Sequence, residues 1–544
     1  MEVAMLVRTL TAARRVVLFF ILAIISQNAA QSSQPQVQFG DLRYCGAFKL
    51  PEYWEPVCDD QCTFHYAHGA VAFNPHQGGN NANPPSLFVA CFTGQGASNV
   101  GEVSIPEPVI SNTGNINDLP TATSLQRCAN AEAGASATLS FGEGGISGIL
   151  IAGSKMYFTC YNSYPAGGCQ SLSHFVKNSL DLSAADATGA FLVTNNAGGT
   201  CFINGPMTWI PQEWQAALGN MPAITYNCCH SIIASTSWGP AAFAFDPSAL
   251  GNTPAASVAL QYYTSSHPAL GQWDGGSGPL VFETAWNNSW NDAPVPGYRG
   301  LVIPDGTRSA LYFGAQGIGE YCYGEGTSDS SLHGQPYGGT IYCYDPAAVV
   351  SKGDHAYPYR FQIMAFDLND WASVAAGAKE PYEVTPYAVW PLAPPVIPFT
   401  NGITDAGGGG AAYDPATRRI YWEQARAYGS GLPIIHVWEV TSATAVAPWH
   451  ALENQTDIIT AYPNPCNPGV KITVHWQWTV DSRDAIIEIY SVRGALVQKL
   501  RAARNTADQR AGIAWDASSQ PSGIYVIKAV IGNTRGSKTI VLTK

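Results

Sequence analysis

Short runs of alternating apolar and polar residues, broken by turn residues, recur along nearly the whole chain, and such runs predict strands. The alternation is clearest near the carboxyl end. It runs through Lys471-Ile472-Thr473-Val474-His475-Trp476, Ala485-Ile486-Ile487-Glu488-Ile489-Tyr490, Ile524-Tyr525-Val526-Ile527-Lys528-Ala529-Val530 and Lys538-Thr539-Ile540-Val541-Leu542. Six or seven short strands over 457–544 read as a small Ig-like β-sandwich. Upstream, a looser unit repeats. A strand rich in small residues leads through a turn to an aromatic strand and then to an apolar one. Examples begin at Gly69-Ala70-Val71-Ala72-Phe73, Gly145-Ile146-Ser147-Gly148-Ile149, Arg299-Gly300-Leu301-Val302 and Gly410-Ala411-Ala412-Tyr413.

Glycine in a first strand suits a centre where several sheets crowd together. A β-propeller makes that demand of its innermost strands. Residues 31–450 are therefore expected to form an irregular propeller-like body of five to seven blades, in an all-β chain. In the third repeat Thr340-Ile341-Tyr342-Cys343-Tyr344-Asp345-Pro346 is assigned as the outer apolar strand. Ala241–Pro247 and Phe361–Asp367 are taken as further outer strands. Helix is expected in two places, over 211–218 and where Leu368, Trp371 and Val374 share one face before Pro381.

The amino terminus has a different pattern. Arg8, Arg14 and Arg15 precede the apolar run Val16–Ile25 and the small-residue stretch ending at Ala30. Ten apolar residues are too few to cross a bilayer, which takes roughly 20. Residues 1–30 thus read as a signal peptide, leaving no transmembrane segment after cleavage. Export makes disulfides the default for the thirteen cysteines, with Cys58–Cys62, Cys160–Cys169 and Cys322–Cys343 as local guesses. No repeated C-x2-C element suggests zinc. No metal and no cofactor is expected.

Charge separates the regions. The net charge of −12 is made of +2 over 1–30, −19 over 31–456 and +5 over 457–544. Thirteen basic residues spread through the acidic body give no cluster for phosphate, which excludes nucleic acid as its partner.

The basic tail also carries ordered motifs. Ala461-Tyr462-Pro463-Asn464-Pro465-Cys466-Asn467-Pro468, Ile489-Tyr490-Ser491-Val492-Arg493-Gly494, Trp515-Asp516 before Ser522-Gly523-Ile524-Tyr525-Val526, and the terminal Lys538–Lys544 follow one another. Together they resemble the type A sorting domain of type IX secretion cargo. Cys466 departs from that pattern, which usually has an aromatic there, and a buried thiol is expected. The resemblance implies a Gram-negative source of the Bacteroidota or a neighbouring phylum. It implies passage through the periplasm, recognition by the type IX translocon and its processing machinery, and an extracellular or outer-membrane-surface destination. Pro463, Asn464, Pro465, Asn467, Pro468, Gly523, Tyr525 and Lys538 carry the motif. The body, in Ile210–Leu218 and Pro433–Val437, is similar to secreted bacterial propeller-like proteins, a likeness that implies no chemistry.

No P-loop, dinucleotide fingerprint, G-x-S-x-G or H-E-x-x-H occurs in the chain. Candidate ligand-binding residues come from position instead. Loops before the first strands hold His65, His68, Glu143, His230, Tyr298, Arg299 and Asp405, chemically mixed as a converging site requires. Trp273, Trp286 and Trp290 lie in a polar insertion whose composition suits sugar stacking. Three functions stay open for the body: binding of a polysaccharide or other carbohydrate, a polysaccharide lyase or glycoside hydrolase, and a structural adhesion component. Whether it is an enzyme is left open.

Overall fold

The computed structural model describes residues 34–441 and 459–543, apart from 53–62, 66–68, 77–82, 92–97, 137–143, 163–167, 196, 228–235, 238, 264–265, 268–270, 273–297, 318–321, 347–348, 350–351, 393–407, 429–430, 463, 465, 476–484, 492–495, 503–509 and 532–533. The signal-peptide reading and the Cys58–Cys62 guess lie outside the described residues. The chain divides into two compact units, Met1–Pro448 and Trp449–Lys544. Both are nearly all-β.

The first unit contains five four-stranded antiparallel meanders. The first runs Val71–Asn74, Ser86–Ala90, Asn99–Ser104, Ser124–Asn130. The second runs Gly144–Ala152, Lys155–Asn162, His174–Lys177, Ala187–Phe191. The third runs Met207–Trp209, Ala223–Thr225, Ala242–Phe245, Ala255–Gln261. The fourth runs Tyr298–Val302, Ser309–Gly317, Tyr359–Asp367, Ala388–Pro391. The fifth runs Gly408–Asp414, Arg419–Tyr428, Leu432–Val440. Its fourth strand is Leu42–Lys49, from the opposite end of the unit, in register with Leu432–Val440.

The first strands of successive meanders adjoin, and the fifth adjoins the first again. Glycine makes these approaches possible. A Cβ on Gly148 would stand 2.4 Å from the carbonyl oxygen of Gly205, and one on Gly300 2.6 Å from the Ala411 Cβ. On Gly410 it would stand 2.4 Å from the carbonyl oxygen of Gly69. Polar side chains close the remaining gaps. Thr159 donates to the Gly205 carbonyl at 2.7 Å, Tyr312 to that of Ala241 at 2.7 Å, and the Trp371 indole to Gln261 at 2.7 Å.

Two expectations about strand order are corrected. Thr340–Tyr344 is not the third strand of its repeat; that strand is Tyr359–Asp367. Thr340–Tyr344 belongs to a separate small sheet with Pro336–Tyr337, Cys322–Thr327 and Lys352–His355, inserted within the fourth meander. Both segments are apolar and aromatic, so their pattern alone does not distinguish them. Ala242–Phe245 and Tyr359–Asp367 are third strands, each flanked by a fourth. The Leu368–Ala375 helix forms as expected, with Asp367 capping it through the Asn369 N–H at 2.9 Å and Leu368, Trp371 and Val374 buried. The expected helix over 211–218 is regular only at Gln212–Gln215.

The disulfides among the described residues are Cys91–Cys128, Cys169–Cys201 and Cys322–Cys343. The Cys160–Cys169 pairing is therefore wrong. Cys160 is a buried free thiol in contact with Glu132 and Ser98.

The second unit pairs Ile459–Tyr462, Gly469–His475 and Arg510–Asp516 in one antiparallel sheet. Leu496–Ala502, Ala485–Ser491, Gly523–Ile531 and Thr534–Leu542 form the other. Ile472 and Trp515 of the first sheet and Ile487, Ile489, Ile527 and Ile540 of the second bury into one core.

Candidate functional site

Register irregularities place the polar side chains where the meanders meet. In the fifth meander Gly408 pairs with Gln424 and Ala411 with Trp422. Gly409 and Gly410 therefore both stand opposite Glu423, a bulge that opens the ladder beside one carboxyl. A Cβ on Gly409 would lie 2.4 Å from the Glu423 Oε2, so the side chain fits only because glycine is there. In the fourth meander Tyr298 pairs with Gly314 and Gly300 with Phe313, leaving Arg299 as the extra residue. Ser147 occupies the same position in the second.

Glu423 is fully buried. Its Oε2 accepts the Gly69 N–H at 3.5 Å, and its Oε1 has no hydrogen-bond partner among the described residues. Burial pushes its carboxyl up to about 8, against the Gly69 and Gly410 N–H groups and the positive charge of Arg299. Desolvation wins over one guanidinium here because the carboxylate form would keep an unsolvated oxygen. Near neutral pH this group carries a proton and sits close enough to its titration point to give or take one. Sequence reasoning selected Arg299 and missed Glu423. The available signal was a carboxyl directly after the apolar and aromatic run Ile420-Tyr421-Trp422.

The other candidates separate. Tyr298 is buried and points into the sheet, where its hydroxyl accepts from Gln362, itself held by Arg360 at 2.6 Å. His65 is engaged locally, its Nδ1 2.5 Å from the Thr63 hydroxyl. His68, Glu143, His230, Asp405, Trp273, Trp286 and Trp290 lie outside the described residues. Of the candidates, Arg299 is the one whose charge acts on the Glu423 carboxyl. Two buried histidines serve packing. His174 contacts Ser173 and Thr225, and His436 sits between Tyr44 at 2.9 Å and Gln424 at 2.8 Å. Burial pushes each down to about 3, so both are neutral.

A second carboxyl site lies at the hairpin turns after the first strands. Burial and the nearby Glu213 push Asp305 up to about 7, while Arg418 opposes them. Asp414 accepts from the Ala416 N–H at 2.8 Å and the Thr417 hydroxyl at 2.6 Å, a turn role.

In the tail, the opening motif is tied to the terminal strand. The Asn464 side chain accepts the Val541 N–H at 2.8 Å and donates to the Thr539 carbonyl at 3.1 Å. Cys466, fully buried, donates its N–H to Val541 at 2.8 Å and accepts from Thr543 at 2.9 Å. Tyr525 packs edge-on to Trp515 at 5.4 Å and donates to the Pro521 carbonyl at 2.8 Å. Asn467 and Pro468 are exposed, Gly523 opens the strand that holds Tyr525, and Lys538 pairs in register with Ile527. Pro463 and Pro465 lie outside the described residues. Residues 460–543 match the family described as secretion system C-terminal sorting domain. The tail is a type IX sorting domain.

A chain carrying this sorting domain is cargo of the type IX secretion machinery, delivered to the cell surface or the extracellular space. No helix among the described residues is long and apolar enough to cross a membrane. No curated protein matches the chain significantly. Among solved structures, a Salmonella alpha-2-macroglobulin mutant aligns at 8% identity with a TM-score of 0.19, over 72% of this chain and 25% of its own. The chain thus spans a quarter of that protein's length, and a likeness at this level carries no argument.

Proposed function

We propose that the body, about residues 31–450, is a five-bladed β-propeller that binds a carbohydrate polymer at the mouth of its central channel. The tail, 457–544, delivers it. The propeller reading is supported by the cyclic adjacency of the five first strands and by the glycines at their approaches. Leu42–Lys49 would close the last blade and lock the ring. The observation that carries the binding reading is Arg299 at the start of an inner strand, near enough for its charge to act on the Glu423 carboxyl of a second strand. The half-buried Arg299 guanidinium donates hydrogen bonds to hydroxyl groups, while the Glu423 carboxyl is fully buried. The acidic body, poor in clustered Lys and Arg, suits a neutral polymer better than an anionic one.

Affinity electrophoresis in gels containing xylan, laminarin, galactomannan or hydroxyethyl cellulose tests this. The full chain should be retarded by at least one, and Arg299→Ala should lose most of that retardation. Free migration in all four would overturn the reading. One observation favours a second reading, a polysaccharide lyase or hydrolase: the Glu423 carboxyl holds a proton near neutral pH, as a general acid must. Release of reducing ends or unsaturated sugars, lost in Glu423→Gln, would establish it. Binding with no turnover would leave the first reading.

A further inference from the structure

The small sheet inserted in the fourth meander carries aromatic rings that neither the core nor the channel uses. Thr340–Tyr344 runs parallel to Cys322–Thr327, pairing Glu325 with Tyr342 and Thr327 with Tyr344. Residues paired in a ladder share a face, and residues two apart along a strand do too. Tyr323, Tyr342 and Tyr344 therefore lie on one face. Tyr337, paired with Thr340, joins them. Cys322 and Cys343, whose disulfide pins the sheet, lie on the other. The rings gather in two groups. Tyr337 and Tyr342 are 4.5 Å apart between centroids, and Tyr344 meets Tyr357 at 5.7 Å.

Three rings on or beside this face are open to solvent, and Tyr342 and Tyr344 are half-buried. Tyr323 is 45% exposed, Tyr337 42% and Tyr357 36%. Exposed apolar rings stay ordered only if something holds the sheet. Besides the disulfide, the buried Asp345 accepts from His355 at 2.8 Å and from the Tyr359 hydroxyl at 2.5 Å. A held ring loses little freedom when a ligand stacks on it.

We infer that this tyrosine face is a carbohydrate-binding platform, taking a neutral polysaccharide chain whose sugar rings stack on Tyr323, Tyr337, Tyr342 and Tyr344. The inference rests on the reading of the body as polysaccharide-binding and adds a second contact to it. Charge selects the occupant. Glu325 pairs with Lys352 and Tyr323 with Asp354 across the strands, so two charges offset and one acid remains, which disfavours an anionic polymer. Composition agrees. A protein-binding patch pairs its aromatics with aliphatic side chains in a desolvated centre. The aliphatic residue of this sheet's central strands, Ile341, shares a face with the disulfide instead. Phenol rings offer a flat apolar surface to sugar CH groups and a hydroxyl at the rim. Tyr342 and Tyr344, two residues apart on one strand, stand roughly 7 Å from each other, so a chain can lie along the strand and meet both.

The same four gels test the platform with the full chain. Tyr323→Ala and Tyr337→Ala should each weaken retardation about 3- to 10-fold, and the double variant more, with the thermal transition unchanged. Tyr337→Phe, which keeps the ring, should bind within about 2-fold of the parent. Full retardation of the double variant, with loss only in Arg299→Ala, overturns the platform and leaves the channel-mouth reading standing. Loss in the tyrosine variants with Arg299→Ala unaffected supports the platform and overturns the channel mouth. Absence of retardation for the parent in every gel overturns both.

Discussion

The body buries Glu102, Glu132, His174, Lys177, Glu423 and His436, whereas the sorting domain buries no polar or charged side chain among its described residues. Its core is Ile472, Ile487, Ile489, Trp515, Tyr525, Ile527, Ile540 and Leu542 with a few smaller neighbours. The contrast follows from how many sheets must meet. Two facing sheets need only one apolar face each, and period-two alternation supplies it. Five meanders whose first strands converge bring backbone against backbone, and each approach leaves carbonyls and amides for side chains to satisfy. Thr159 does this for Gly205, and Ser147 for Asn204. Glu102 shows how completely it can be done, taking Ser86 at 2.6 Å and Gln126 at 2.6 Å. Glu423 is less completely satisfied, since its Oε1 has no hydrogen-bond partner among the described residues.

The strongest way to separate the units is to remove one. Without 457–544 the body should fold and accumulate in the periplasm, with surface delivery abolished. Cell fractionation and protease shaving of intact cells measure this. Normal surface delivery of the truncated chain would show that the address does not lie in 457–544.

Acid should part them next. His174 and His436 have folded pKa values pushed down to about 3 from an ordinary value near 6.5. A lowered histidine contributes stability that is present above the unfolded value and is lost as pH falls through the folded one. The body should therefore lose stability between about pH 6.5 and 3, by on the order of 4 kcal/mol for each histidine once fully protonated. No histidine of the sorting domain has a resolved downward shift, and the domain should hold its protection. Peptide-resolved hydrogen exchange across this range reads both units in one sample. Equal loss of protection in the two would contradict the comparison.

The two units were not equally legible in sequence. In Ile487–Ile489, Tyr525–Ile527 and Ile540–Leu542 the alternation names the buried face directly, and the buried Cys466 followed from its place in the motif. Many of the body's inner strands are buried on both faces, as Ser86–Ala90, His174–Lys177 and Ala242–Phe245 are throughout, so alternation vanishes there and register with it. The repeat and its glycines survived that loss. The swap between Thr340–Tyr344 and Tyr359–Asp367 did not, and neither did the return of Leu42–Lys49 to the fifth meander. Both depend on pairings distant in sequence. Of the candidate site, Arg299 was found because the search covered the beginnings of first strands, although it stands inside Tyr298–Val302 and not in a loop before it, while Glu423 lies on a second strand that the positional rule never searched.

Glu423→Gln sharpens the comparison from the alkaline side. Its folded pKa, about 8, lies above its ordinary value of 4.5. A raised group contributes stability fully present below the unfolded value and lost as pH rises through the folded one. The parent body should therefore weaken between about pH 4.5 and 8, and Glu423→Gln should not. At pH 8.5 the variant should exceed the parent by on the order of 4–5 kcal/mol in chemical denaturation. An unchanged slope would mean that the carboxyl is solvated after all.

The smallest effects come from paired glycine substitutions. Gly148→Ala sets a methyl 2.4 Å from the Gly205 oxygen and 2.8 Å from the Pro206 Cα, both backbone atoms that cannot swing aside. It should cost about 2–3 kcal/mol, the range of overpacking in a tight interior. Gly469→Ala in the sorting domain meets nothing within 4 Å. There the shorter list of unfolded conformations decides, and the change should be neutral or stabilising by up to about 1 kcal/mol. Thermal melts of the two variants check the difference. If Gly148→Ala is as mild as Gly469→Ala, the body's first strands have room to separate, and glycine at their approaches reflects turn formation and not close packing.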